Sequence, residues 1–259
     1  MTELTKSATD AAVEAFFETL AHIAEVVPGA YGRRGANGTR VVALGLPMPT
    51  VNSVWVDHQS PIAEVEEFAK ELSTTGLPWS IQVRGEVDPA LKELAAGFGM
   101  ISSMPLPLLV WDAELLPSLP SGVPQGTTVR KVPGTETDLY ASALVAGYGM
   151  PREVADSLSA PALLDDPDLA GFVLDLNGEA VATGFNMMAG DYVAMYNGSV
   201  PPEHRGKGYY RALVAARLRY AVESGARYAV SQNTPMSRPL YESFGFQLAE
   251  TWTCLLPAG

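Results

Sequence analysis

Cysteine is almost missing from this chain. Cys254 is the only one in 259 residues, so no internal disulfide can form, and a reducing, cytoplasmic setting is expected. Histidine is scarce as well, with three, and no His, Cys, Asp or Glu spacing has the form of a ligand set, so no metal is expected. No run of about 18 uncharged apolar residues occurs, which argues against a transmembrane helix and a membrane partner. The opening Met1-Thr-Glu-Leu-Thr-Lys6 lacks the basic-then-apolar order of a signal peptide. Basic side chains are also short in number, 17 Lys and Arg against 29 Asp and Glu, a net charge of −12. Nucleic acid is therefore disfavoured as a partner, because neutralising phosphates needs a basic face. An acidic field suits a cationic amine substrate and equally serves solubility. The chain is 47% hydrophobic, enough for one large core or two modest ones.

The most informative stretch runs from Val200 to Val214, Val-Pro-Pro-Glu-His-Arg-Gly-Lys-Gly-Tyr-Tyr-Arg-Ala-Leu-Val. Before it, Val193 to Val200 reads as a strand that Pro201-Pro202 must end, since proline has no N–H for the ladder. After it, Leu213, Leu218 and Val222 with alanines between form a helical apolar face. The turn between them carries Gly206 and Gly208 at a helix N-terminus, flanked by Arg205 and Lys207. Free N–H groups pointing one way, beside two cations, make a site for phosphate or pyrophosphate.

This pattern resembles the acyl-CoA pyrophosphate loop of the GNAT N-acetyltransferase superfamily, where Arg or Gln is followed by two residues, Gly, one residue, and Gly or Ala. Arg205 and Gly208 match, and Tyr210 stands at the last, normally small position. A second match follows: strand Tyr228 to Gln232, then Asn233, Ser237, Leu240-Tyr241 and Gly245-Phe246. Ser237 is an expected N-cap and Gly245 an expected residue just past the helix end. The resemblance covers residues 127–259. It implies an α/β (α+β) fold of two GNAT-like units, each a mixed, mostly antiparallel sheet flanked by helices.

In chain order, residues 9–27 are expected as a helix and Tyr31 to Gly38 as a loop. Strands are expected at Thr39 to Leu46, Val51 to Val56 and Trp79 to Val83, with helices at Glu64 to Ser73 and at Asp88 to Gly97, the latter capped by Asp88. Ser102 to Trp111 follows as an edge or irregular strand because of Pro105 and Pro107. Three prolines make residues 113–126 the linker. Strand Thr128 to Val132 and helices Thr135 to Gly147 and Pro151 to Ser159 open the next unit. Strands Gly171 to Leu176 and Glu179 to Met188 are joined by Asn177-Gly178, a hairpin signal.

The halves read as an internal repeat. Ala90 to Met100 parallels Arg238 to Phe246, and aligning Phe98-Gly99 with Phe244-Gly245 puts Ala95 opposite Tyr241. The first half has Asp57-His-Gln-Ser-Pro61 where the second has Arg-Gly-Lys-Gly, so residues 1–112 are expected as a degenerate GNAT-like domain that takes no CoA. Residues 127–259 are expected as the acetyl-CoA-binding catalytic domain.

The resemblance implies acetyl-CoA as cosubstrate and transfer of acetyl to a small-molecule amine by direct attack in a ternary complex. It implies Gly198, Ser199 and Val200 along the pantetheine, and Arg205, Gly206, Lys207, Gly208, Tyr209 and Tyr210 around the pyrophosphate. Tyr241 corresponds to the general acid near the CoA sulfur, the alternative being a packed helix aromatic beside Phe244. Asn233 reads as a pantetheine or water partner, or as a turn residue. No strand carboxylate marks a general base; Tyr196, Asn197, Asp191, Tyr192 and Glu203 are the nearby polar groups. His204 reads as a surface residue. Met187, Met188, Met195 and Met236 read as core or as lining of an acceptor site. The other function classes are an inactive acyl-CoA-binding sensor and a phosphate binder unrelated to CoA. A monomer or homodimer is expected.

Overall fold

The computed structural model describes residues 4–257; Met1 to Glu3, the start of the polar N-terminal stretch, and residues 258–259 lie outside the described residues. Helix α1 (Lys6–Val26) buries Val13, Phe16, Phe17 and Ile23 at helical spacing. Strands β1 (Tyr31–Arg34), β2 (Arg40–Ala43) and β3 (Asn52–Val56) follow, then α2 (Ile62–Ser73) and β4 (Ser80–Arg84). Helix α3 (Pro89–Gly97) starts where the Asp88 carboxylate accepts from the Leu91 N–H at 2.9 Å, and β5 (Met100–Asp112) ends the first half.

The second half runs β6 (Thr127–Lys131), α4 (Thr137–Tyr148), α5 (Arg152–Ser157), α6 (Pro161–Leu164), β7 (Leu169–Leu176) and β8 (Glu179–Ala189). It continues with β9 (Tyr192–Ser199), α7 (Tyr209–Glu223), β10 (Tyr228–Gln232), α8 (Arg238–Glu242) and β11 (Gln247–Pro257). The β7–β8 hairpin turns at Asn177 (φ 52°) and Gly178 (φ 92°), with Leu176 opposite Glu179. Among the described residues no helix is long and apolar enough to cross a membrane.

The chain forms two compact units: one takes residues up to Thr19 with Leu109–Gln247, the other Leu20–Leu108 with Leu248 onward. The division passes through α1 and β5. In the second of these units β1, β2 and β3 are antiparallel neighbours, β3 and β4 are parallel, and β11 joins β4 antiparallel, with Trp252 opposite Arg84. Helix α2 connects the parallel pair and buries Val65, Phe68 and Leu72 against Val54 and Ile81. In the other unit β6 to β9 are antiparallel in sequence order and β9 and β10 are parallel, connected by α7. The last residues of β5 belong here: Trp111 packs with Val193, Leu218 and Phe246, and its indole N–H donates to the Phe244 carbonyl (3.1 Å). Each unit is thus a mixed sheet with a strand–helix–strand crossover. In the order β2-β3-β4 and the order β8-β9-β10 an antiparallel pair precedes a parallel one.

Two local expectations change. Tyr31–Arg34 is a strand, not loop, because pairing with β2 overrides its weak pattern. Ser237 does not cap α8: its backbone is helical and its hydroxyl lies among Asn233 Nδ2 and the Thr234 N–H, both at 3.2 Å. Residues 113–126 include a 3-10 turn, Ala113–Ser118, and the Leu119 carbonyl accepts from Arg219 at 3.2 Å.

Candidate active site

The parallel pair β9–β10 separates before it ends. Its register runs from Tyr228 opposite Tyr192 to Val230 opposite Ala194, although β9 continues to Ser199 and β10 to Gln232. On its other side β9 carries a bulge: Phe185 lies opposite Tyr196 but Thr183 opposite Ser199, an extra residue that puts Asn197 at φ 49°. Polar groups fix this kink. The Thr183 hydroxyl donates to the Asn197 carbonyl (3.0 Å), so at 2.6 Å the Ser199 hydroxyl is the donor to Thr183.

Beyond the strand end, Gly206 (φ 75°) and Gly208 (φ 81°) take left-handed backbone that a side chain would strain. Gly208 is the N-cap of α7 and offers no capping side chain. The first N–H groups of the helix therefore have no acceptor within it. A cavity of about 560 Å³ opens there. Gly198, Ser199, Val200, Arg205, Gly206, Gly208, Tyr209 and Tyr210 all line it. Arg205 and Arg211 are its cations and no carboxylate lines it, so an anion is favoured locally in a chain that is acidic overall. Arg205 Nε donates to the Val200 carbonyl at 3.0 Å, and Lys207 is exposed on the turn.

Three implied residues do not line the cavity, the exposed Lys207 among them. Tyr241 is 2% exposed and Asn233 3%. The Tyr241 hydroxyl is 2.9 Å from that of Tyr210, which does face the cavity. Tyr210 reaches this position because residue 198 is glycine: a Cβ there would stand 1.7 Å from the Tyr210 hydroxyl oxygen. Burial of the Tyr210 hydroxyl, with Tyr241 and Tyr148 nearby, raises its pKa well above the ordinary value despite the buried Arg217 cation, so it stays protonated at neutral pH. Asn233 Nδ2 bonds Ser237 while its Oδ1 is buried without a partner, as is Gln232 Nε2. The glycine cradle and its cations fit a ligand carrying phosphates.

Several lining residues escaped the sequence reading. Tyr148 closes one side, its hydroxyl donating to the Gly198 carbonyl (3.0 Å). Gly147 lets α4 approach, since a Cβ would meet Ser199 Oγ at 2.1 Å. His204 is a half-buried lining residue, with Nδ1 buried and unpartnered. No spacing signal pointed to these; only the fold brings them together.

The polar groups near β9 divide differently. The Thr19 hydroxyl donates to the Phe16 carbonyl (2.7 Å), so the Tyr196 hydroxyl, 3.0 Å away, must donate to it. Burial raises the Tyr196 pKa, and its ring stacks on Phe16. Tyr192 stacks on Tyr228, and Asp191 and Glu203 are exposed. Met187 and Met195 are core, whereas Met236 lines the cavity and is 80% exposed.

Arg217 on α7 is fully buried, and its partners are all neutral. Nε donates to Asn186 Oδ1 (2.9 Å), and Nη2 to the carbonyls of Phe185 (2.5 Å) and Tyr196 (3.2 Å), the pair at the start of the bulge. The helix that begins at the cradle thereby holds the kink in β9.

These features are those of the GNAT fold. Residues 138–246 match the model of the Acetyltransferase (GNAT) family. Solved structures share the fold over nearly the whole length. A GCN5-related N-acetyltransferase from Kribbella flavida is similar at 17% identity and TM-score 0.65, covering 95% of this chain and 96% of that one. A functionally unknown conserved protein from Staphylococcus epidermidis gives 14% and 0.68 over 88% and 94%. A tandem GNAT protein from the clavulanic acid biosynthesis pathway gives 16% and 0.56 over 96% of each chain. Comparison with curated proteins returns no match.

Proposed function

We propose that this chain is an acetyl-CoA-dependent N-acetyltransferase acting on a small-molecule amine, with one acyl-CoA site per chain. Residues 127–259 supply that site, residues 1–112 are the degenerate copy, and 113–126 link them. The observation that carries the reading is the coincidence of a cationic glycine cradle at the start of α7 with the separation of β9 from β10. A pyrophosphate fits the first and an extended amide-bearing arm the second. Gly206, Gly208 and the first N–H groups of α7 would hold the phosphates, assisted by Arg205 and Lys207, with Tyr209 and Tyr210 opening the helix. Gly198, Ser199, Val200 and Asn233 would take the arm. Bound acetyl-CoA supplies an activated acyl group; the chain's part is to align it with the amine, which accounts for much of the acceleration, and to furnish a tyrosine proton for the departing sulfur.

Isothermal titration with acetyl-CoA tests this. Wild type should bind one equivalent, and Gly206→Glu, which places a carboxylate in the cradle, should weaken binding by at least about tenfold, or 1.4 kcal/mol. Gly122→Glu, an exposed site of the same charge change, should bind as wild type. If wild type does not bind, or both variants weaken equally, the reading fails. A second reading, acyl-CoA binding without turnover, draws on the burial of Tyr241 away from the cavity. Binding with no acyl transfer to any amine would favour it.

A further inference from the structure

Tyr241 is the residue that family correspondence makes the acid, but its side chain is enclosed. It is 2% exposed, edge-on to Phe246 with ring centroids 5.0 Å apart, and its hydroxyl meets Tyr210 at 2.9 Å. Tyr210 stands between it and the cavity, on the first turn of α7. The departure of residue 210 from a small side chain and the glycine at 198 are a matched pair, because any Cβ at 198 would collide with the Tyr210 hydroxyl. The space usually left at the helix start is given up, and the same space is regained on the facing strand.

The geometry points to Tyr210, not Tyr241, as the catalytic residue that donates the proton to the leaving sulfur, with Tyr241 as the positioning residue that holds it. This rests on the acyl-CoA reading above. The step balances simply. When the tetrahedral intermediate collapses, the C–S bond breaks, its electron pair stays on sulfur, and the Tyr210 hydroxyl proton passes to that sulfur. Tyr241, with its hydroxyl 2.9 Å from that of Tyr210, fixes the direction in which the Tyr210 phenol points. The proton released by the nucleophile returns to Tyr210 through solvent in the cavity after CoA leaves. Tyr148, whose hydroxyl is committed to the Gly198 carbonyl, is not the donor.

The test needs no knowledge of the acceptor. Acetyl-CoA binding is measured calorimetrically for wild type, Tyr210→Phe and Tyr241→Phe, and release of CoA thiol from acetyl-CoA is followed with water as acceptor. Tyr210→Phe should bind within about threefold of wild type yet release thiol about 100-fold more slowly, the mark of an interaction made in the transition state. Tyr241→Phe should lose about tenfold or less, since Tyr210 can still donate. Its rate–pH profile should shift while affinity holds, because a hydroxyl that helps to raise the Tyr210 pKa is lost. If Tyr241→Phe falls further than Tyr210→Phe, or Tyr210→Phe keeps the wild-type rate, the assignment is overturned. Wild type that binds acetyl-CoA but releases no thiol above the uncatalysed rate overturns it too, leaving the binding site intact. Wild type that does not bind removes the parent reading and this one together.

Discussion

The packing of Gly198 against Tyr210 makes a quantitative prediction. In Gly198→Ala the new Cβ would lie 1.7 Å from the Tyr210 oxygen, 2.6 Å from Cζ and 2.9 Å from Cε2. Ordinary contacts need about 3.5 Å, so the phenol end must retreat by nearly 2 Å. A 2.9 Å bond between two hydroxyls does not survive such a shift, and the enclosed Tyr241 hydroxyl loses its partner. Stranding a buried hydroxyl costs about 1–3 kcal/mol. Forcing a ring from its packed position costs a further 1–3 kcal/mol, roughly. The expected destabilisation is about 2–5 kcal/mol, read from urea midpoints and thermal melts. The same Gly198→Ala change in a Tyr210→Ala background meets no phenol and should cost only about 0.5 kcal/mol or less. Equal costs in the two backgrounds would show that Gly198 serves the backbone of the bulge and not the tyrosine, and the pairing argument would be refuted.

Arg217 should be intolerant of substitution. Arg217→Leu removes the donors to Asn186 Oδ1 and to the Phe185 and Tyr196 carbonyls, and should cost about 3 kcal/mol or more in denaturant unfolding. Arg217→Lys should rescue little, since one ammonium cannot span those acceptors as the planar guanidinium does. A near-neutral Lys variant would show that the fork geometry is unimportant. At alkaline pH the tyrosines should set the limit. Burial raises the pKa of Tyr140, Tyr196 and Tyr210, and burial together with Glu71 pushes Tyr31 up to about 12. Unfolded tyrosines ionise near pH 10, so the folded chain binds more protons above that value. This contribution to stability is complete below about pH 10 and is lost as pH rises through 12 and beyond. Urea midpoints should therefore fall between pH 9 and 11, and a flat profile would contradict the burial.

What the sequence reveals depends on how local the cause is. Asp88 caps its helix and Asn177-Gly178 turns its hairpin because each effect is complete within a few residues. The cradle is legible for the same reason: two glycines and two cations at a strand–helix turn need no distant partner to be recognised. Tyr31–Arg34 is different, with three of its four residues exposed and no alternating pattern. Its strand depends on β2 and on ion pairs from Arg33 to Glu67 (3.1 Å) and Glu71 (2.5 Å), 34 and 38 residues away. Arg217 is hidden by its own chemistry, since a charged helix residue is by default solvated. The pairing of β11 with β4, which places the chain's last strand among elements of its first half, has no local signature at all.

The two crossovers show how a single turn decides whether such a frame can hold a ligand. In one unit β3 and β4 stay in register from Ser53–Ser80 to Val56–Val83, the end of β3. Past that end Arg84, with a side chain only 5% exposed, joins Asp57 (3.1 Å) to Glu250 (2.8 Å), and Trp55 packs edge-on to Trp252. The turn into α2 is folded on itself, the Asp57 N–H donating to Ser60 Oγ at 2.9 Å, and Pro61 begins the helix without a capping side chain. None of residues 57–61 has left-handed backbone, so this turn lacks the bend that aims successive N–H groups at a phosphate. In the other unit the register stops at Val230–Ala194, five residues before β9 ends, and the turn holds two left-handed glycines. One strand end is closed by a buried cation between two carboxylates. The other is left open beside cations, with no carboxylate lining the space.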